Sequence, residues 1–149
     1  MTPLGGLEEG ALLGVLGYQL VQAGIVTAAV FEEQAGRPFS LRPVDYTVLA
    51  LIAGNPGVSS ARLAKALAVS PPNISPVVER LEERGLITRA PSEEDRRAQA
   101  LHASRAGSRL VEQATRQLRG AEAALGLTPG EHALLLELLH KVACARAGR

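Results

Sequence analysis

Between Ser59 and His102 the chain carries two short helical patterns separated by three residues, with a hairpin-like stretch directly behind them. No other stretch constrains the fold as much, because few architectures accept two helices joined by so tight a turn and followed at once by a hairpin. Ser59 or Ser60 caps the first of these helices, which buries Leu63, Ala64 and Leu67. The break is Ala68-Val69-Ser70, where Ser70 caps the second helix and Pro71 takes its first position. Ile74, Val77, Val78 and Leu81 form its apolar face, and Gly85 sits just past its end. Leu86 to Ala90 then reads as a short strand and Pro91 to Arg97 as a polar, charged turn. Ala98 to His102 alternates weakly, as a strand pairing back would.

Helical patterns flank this unit on both sides. From Leu7 to Ala35 there is no proline, and apolar residues recur at Leu12, Leu16, Leu20, Val26 and Val30. Gly14, Gly17 and Gly24 each weaken such a helix by about 1 kcal/mol relative to alanine, which is tolerable where another helix packs closely. Gly36-Arg37-Pro38 breaks the pattern. Pro43 opens a helix with Val44, Val48 and Ile52 on one face, and Gly54-Asn55-Pro56-Gly57 ends it. Ser104 caps a further helix running to about Ala124. Thr128-Pro129-Gly130-Glu131 is a capping box that starts the last one, lined by Leu134, Leu135, Leu138, Leu139 and Val142. The expected fold is mainly α with a small β-hairpin wing. It is one chain with a winged helix-turn-helix over 41–103 and helices over 7–36 and 105–147. Those end helices carry more apolar surface than one chain of this size buries, which points to dimerisation.

Composition bounds the reading. Of 149 residues, 46% are hydrophobic, which excludes intrinsic disorder, and 3% are aromatic, so the core is aliphatic. The net charge of +1 hides a gradient. Residues 1–36 hold four Glu and no Lys or Arg, whereas residues 37–109 hold eleven Lys or Arg against seven Asp or Glu. A positive middle suits a phosphate-binding surface. Cys144 is the one cysteine, so no internal disulfide forms. No apolar run reaches the length of a membrane span, and the first residues lack the basic and apolar regions of a signal peptide. The chain is therefore read as soluble and cytoplasmic, with no membrane partner.

In a winged helix-turn-helix the second helix fits the DNA major groove and the hairpin tip reaches the neighbouring minor groove. Arg96 and Arg97 at that tip suit the enhanced negative potential of a narrow minor groove. The stretch from Leu41 to Leu110 resembles the MarR family of transcriptional regulators. The resemblance rests on Leu81-Glu82-Glu83-Arg84-Gly85-Leu86-Ile87-Thr88-Arg89, then Asp95-Arg96-Arg97, then Ser104-Arg105-Ala106-Gly107, in that order. It implies a homodimer held by the terminal helices and bound to a pseudo-palindromic operator in double-stranded DNA. It also implies repression relieved by a small-molecule effector. Asp95 and Arg97 resemble the family's Asp-x-Arg pair, in which the aspartate orients the wing arginine.

Candidate DNA contacts follow from these placements. Asn73 and Ser75 lie near the start of the second helix, away from Ile74 and Val77. Asn reads adenine through N6 and N7, and Ser bonds a base or a phosphate. The plainer alternative for Asn73 is support of the helix start. Ser60, Ser70 and Pro72 belong to the same edge. Pro76 falls near the sixth helical position, where it costs a backbone hydrogen bond of about 3 kcal/mol. Either the helix kinks there or the proline meets a thymine methyl. Arg62, Lys65, Arg80 and Arg84 are candidate phosphate contacts, the last two with neighbouring glutamates as alternative partners. Tyr18, Gln19 and Tyr46 are expected to line an effector cavity between the terminal helices and the winged body. That cavity should be largely aliphatic, suiting a small phenolic compound or aromatic acid. Cys144 reads as a small buried apolar residue. His102, His132 and His140 lack a ligand set for a metal, and no cofactor motif or catalytic constellation stands out. A constitutive regulator and a winged-helix module that binds protein are the competing readings, the second opposed by the arginine pair on the wing.

Overall fold

The computed structural model describes residues 5–148. The chain divides into two compact units, one spanning Phe31–Arg116 and the other formed by the chain on either side of it. The first is the winged helix-turn-helix. Helix α3 (Pro43–Gly54) starts with Pro43 at its first position, and the Asp45 carboxylate accepts the Arg42 backbone N–H at 3.2 Å. Asp45, Val48, Leu49 and Ile52 are its buried residues, whereas Val44, expected on the core face, is exposed. The inward stripe is rotated by one residue because Asp45 turns in to meet an arginine from another helix, as described below.

Helix α4 (Ser60–Leu67) is capped by Ser59, whose Oγ accepts the Arg62 N–H at 3.2 Å. Ser60 is therefore its first residue rather than its cap. Ala68, in the left-handed region at φ +55°, makes the turn into α5 (Pro71–Glu83). Ser70 takes the N-cap backbone geometry of α5, but its hydroxyl makes no capping bond. Gly85, at φ +69°, leads the chain out of α5 and into the hairpin. Strands β1 (Ile87–Pro91) and β2 (Gln99–Ala103) pair antiparallel with Arg89 opposite Leu101, each one residue later than the pattern suggested. Val58 adds a third, one-residue bridge to Leu101, with Gly57 N–H donating to the Leu101 carbonyl at 2.8 Å.

These elements enclose one aliphatic core. Leu49 and Ile52 of α3, Leu63 of α4, Ile74, Val78 and Leu81 of α5, Ile87 of β1 and Leu101 of β2 are almost fully buried in it. Each contributes about 1.5–3 kcal/mol by leaving water. Helix α6 (Arg105–Glu122) packs Leu110 and Val111 against the same cluster. Ser104 Oγ accepts the Gly107 N–H at 3.1 Å and donates to the Gly85 carbonyl at 2.6 Å, tying the start of α6 to the end of the α5 turn.

The ends of the chain are helical too. Instead of one helix from Leu7, a 3-10 turn (Gly10–Gly14) precedes α1 (Leu16–Phe31), with Val15 extended between them. The helix then passes through the expected break. A π-helical turn (Glu32–Gly36) and a last turn, α2 (Arg37–Phe39), carry it past Gly36 and Pro38. Pro38 sits in the opening residues of that turn, where its missing N–H is least disruptive, and Ser40 at φ +50° ends it. Helix α7 (Pro129–Cys144) opens with the Thr128–Glu131 capping box, both halves of which are formed. Neither α1 nor α7 has a buried residue. No helix of the described residues is long and apolar enough to cross a membrane.

Candidate nucleic-acid interface

Helix α5 is divided along its length. Ile74, Val77, Val78 and Leu81 lock one side into the core, and the other side leaves Pro72, Asn73, Ser75 and Pro76 exposed. The Asn73 N–H donates to the Ser70 carbonyl at 2.9 Å, so the main chain supports the helix start. Pro76 lies inside the helix, which continues to Glu83. The donor it lacks would have served the Pro72 carbonyl one turn back, on the exposed side, where another donor can reach it. Arg62 and Lys65 on α4 are exposed.

The wing tip is a compact turn. Ala98 N–H donates to the Asp95 carbonyl at 3.0 Å, and Ser92 N–H to the Ala98 carbonyl at 3.1 Å. Asp95 Oδ1 accepts the Arg97 backbone N–H at 2.9 Å. The aspartate thus shapes the main chain at Arg97 rather than gripping its guanidinium, and Asp95, Arg96 and Arg97 are all exposed. At the root of the wing Arg89 is held by Glu82 at 2.9 Å and Gln99 at 3.2 Å. Between the wing and the start of α4 lies a polar cleft of about 590 Å³, lined by Arg62, Glu93, Glu94 and His102 among others.

Arg80 and Arg84 have partners that sequence reading missed. Arg80 Nη2 meets the buried Asp45 carboxylate at 2.6 Å, and Arg84 donates to the Phe39 and Ser40 carbonyls at 2.7 and 2.8 Å. Asp45 lies 35 residues from Arg80, a separation over which no local pattern pairs charges. Its one signal is its place three residues after Arg42 at a helix start.

The proposed effector residues fall in the two units separately. In the winged unit, Tyr46 Oη is bonded to Thr115 Oγ1 at 2.7 Å, and its ring lies 5.9 Å from that of Phe31. In the terminal unit, Gln19 donates to the Leu13 carbonyl at 3.0 Å. Tyr18 differs: its hydroxyl is buried beside the Glu9 carboxylate, and among the described residues no other group meets it. Burial pushes its phenol above the ordinary value, and the nearby Glu9 carboxylate adds to the shift.

Cys144 is exposed rather than buried, on a helix none of whose described residues is buried, and its Sγ lies 3.5 Å from His140 Nε2. His132 faces Glu122 at 3.9 Å. Among the described residues no group of three potential ligands gathers that could hold a metal ion.

Comparison with known proteins gives this geometry a context. The model of the MarR family matches residues 39–98. A transcriptional regulatory protein assigned to the hcr operon of Thauera aromatica is 33% identical over 144 residues, which is 95% of this chain and 86% of the relative. The transcriptional repressor CouR, solved bound to a 23-mer DNA duplex, superposes with a TM-score of 0.81 at 28% identity, covering 92% of this chain and 98% of that one. CouR from Rhodococcus jostii RHA1, solved bound to p-coumaroyl-CoA, superposes with a TM-score of 0.77 at 28% identity, over 90% and 95% of the two chains.

Proposed function

This chain belongs to the MarR family of transcriptional regulators, and from that premise we propose that it is a repressor of a pseudo-palindromic operator, working as a homodimer and released by a small ligand. The observation that carries the DNA reading is what the winged unit leaves exposed. Pro72, Asn73, Ser75 and Pro76 face outward on a helix whose other side is locked in the core. Arg62, Lys65, Arg96 and Arg97 stand exposed in the same unit. A helix with small polar side chains suits the major groove, and cations beside it suit the phosphates and the minor groove.

The ligand half of the reading is supported by Tyr18, whose buried hydroxyl has the Glu9 carboxylate beside it and keeps acceptor capacity that a bound polar group would use. CouR from Rhodococcus jostii RHA1 was solved bound to p-coumaroyl-CoA, a coenzyme A thioester with a phenolic acyl group. A phenol or aromatic carboxylate is therefore the effector class proposed here. Gln19, in the same unit as Tyr18, already has a hydrogen-bond partner and would contribute shape more than polarity.

The test is a mobility-shift titration with DNA flanking the protein's own gene. Arg96→Ala combined with Arg97→Ala should weaken binding by at least roughly tenfold at matched salt and leave the oligomeric state unchanged. Unchanged affinity in the double variant would remove the wing from the interface. Phenols and aromatic acids that raise the melting temperature should then lower DNA affinity, and a set of stabilising ligands with no effect on DNA would leave the protein constitutive.

A further inference from the structure

The arginines at the C-terminal end of α5 converge on one short segment of chain. Only Ser40, Leu41 and Arg42 separate the end of α2 from the start of α3. Leu41 is buried, and its N–H donates to the Gly36 carbonyl at 3.0 Å. Arg84, at the end of α5, donates to the Phe39 and Ser40 carbonyls, and so holds the left-handed turn that stops α2. One helical turn back, Arg80 meets Asp45, whose other oxygen accepts the Arg42 N–H. The Asp45 side chain is 7% exposed and that of Arg80 34%, so this pair is shielded far better than a surface ion pair. A guanidinium aimed into a buried carboxylate is committed to it, since leaving would strand the charge.

We propose that Arg80 and Arg84 are positioning residues: they bolt the recognition helix α5 to the link before α3 and to α3 itself, and so fix how its exposed side is presented to DNA. The inference rests on the DNA-binding reading and deepens it. A three-residue link with a buried leucine has little slack, and two arginines one turn apart hold α5 against it. Arg80 is accordingly not a phosphate contact, although its position on a DNA-binding helix invites that assignment.

The experiment uses the full-length protein and two duplexes of equal length, one selected by the wild type from a randomised pool and one scrambled. Affinity for both is measured across a salt series with Asp45→Asn, Arg84→Lys and Arg80→Ala. Asp45 is buried and Lys keeps the charge of Arg84 while losing its two-carbonyl grip, so neither change removes an exposed cation. Each of the three should lose roughly tenfold on the selected duplex and almost nothing on the scrambled one, with an unchanged salt slope. A purely structural defect would lower the folded fraction and hence both affinities equally. The inference is overturned if Arg80→Ala weakens both duplexes alike and reduces the slope by about one, as loss of a phosphate contact does. It is equally overturned if Arg84→Lys keeps the wild-type ratio, an arm that stands even where Asp45→Asn fails to fold. A wild type that selects no sequence would remove the DNA reading itself, and this inference with it.

Discussion

A hydrogen atom in place of a methyl decides how α6 meets the wing. A Cβ at Gly107 would overlap the Leu86 carbonyl oxygen and stand 3.2 Å from Leu49 Cδ1. The backbone of Leu86 cannot yield as a flexible side chain would, because it leads directly into β1 and accepts the Ser104 N–H at 2.9 Å. Gly107→Ala should therefore destabilise the fold by about 2 kcal/mol or more, read as a lower urea midpoint with an unchanged slope. A midpoint equal to wild type would show that the contact is looser than described. Gly107 belongs to a stretch already conspicuous in the sequence, but the reason for it, a carbonyl 21 positions away, is a property of the fold. The same holds for Asp45 and Arg80. Their charges are legible one by one, yet their pairing depends on how α3 and α5 cross. Cys144 departs from its local pattern for the reverse reason: its apolar neighbours suggest burial, but α7 buries none of its described residues.

At the scale of elements, what could be read depended on how local the signal was. The start of α7 is legible in full because Thr128, Pro129 and Glu131 place cap, first helical residue and capping carboxylate within four positions. That carboxylate accepts the Thr128 N–H at 2.8 Å and also its hydroxyl, and these bonds hold its pKa below the ordinary value. A carboxyl whose pKa is lowered by folding adds stability that is present above the unfolded pKa. That stability is lost as pH falls through the lower folded pKa. Wild type should thus lose more stability on acidification than Glu131→Gln does, and Thr128→Ala should cost about 1 kcal/mol at neutral pH. Parallel urea midpoints for wild type and Glu131→Gln at every pH would contradict the cap. The N-terminal helix was less legible. Gly36-Arg37-Pro38 looks like a stop, but a π-turn shifts the hydrogen-bond register before the proline, and the helix runs on to Phe39. The hairpin was placed one residue early because Leu101 is fixed by pairing with Val58 on its far side, a bridge from a segment that reads only as a turn.

For the whole molecule, the distribution of apolar surface is the decisive fact. Leu16, Val21 and Ile25 of α1 and Leu134, Leu136 and Leu138 of α7 stand between 48% and 63% exposed. Large exposed apolar faces on two helices mark an interface rather than a free surface. Sedimentation equilibrium at micromolar concentration should give twice the 15.6 kDa chain mass, and a single species at 15.6 kDa would refute the dimer. A dimer presents two copies of α5 and two wings, so it reads two half-sites and multiplies the discrimination that either copy achieves. This discrimination resides in the winged unit. Its most direct test is a titration of the wild-type protein, at one fixed salt concentration, against the duplex it selects and a scrambled duplex of the same length. The selected duplex should be preferred by at least about a thousandfold. Equal affinity for the two would contradict it.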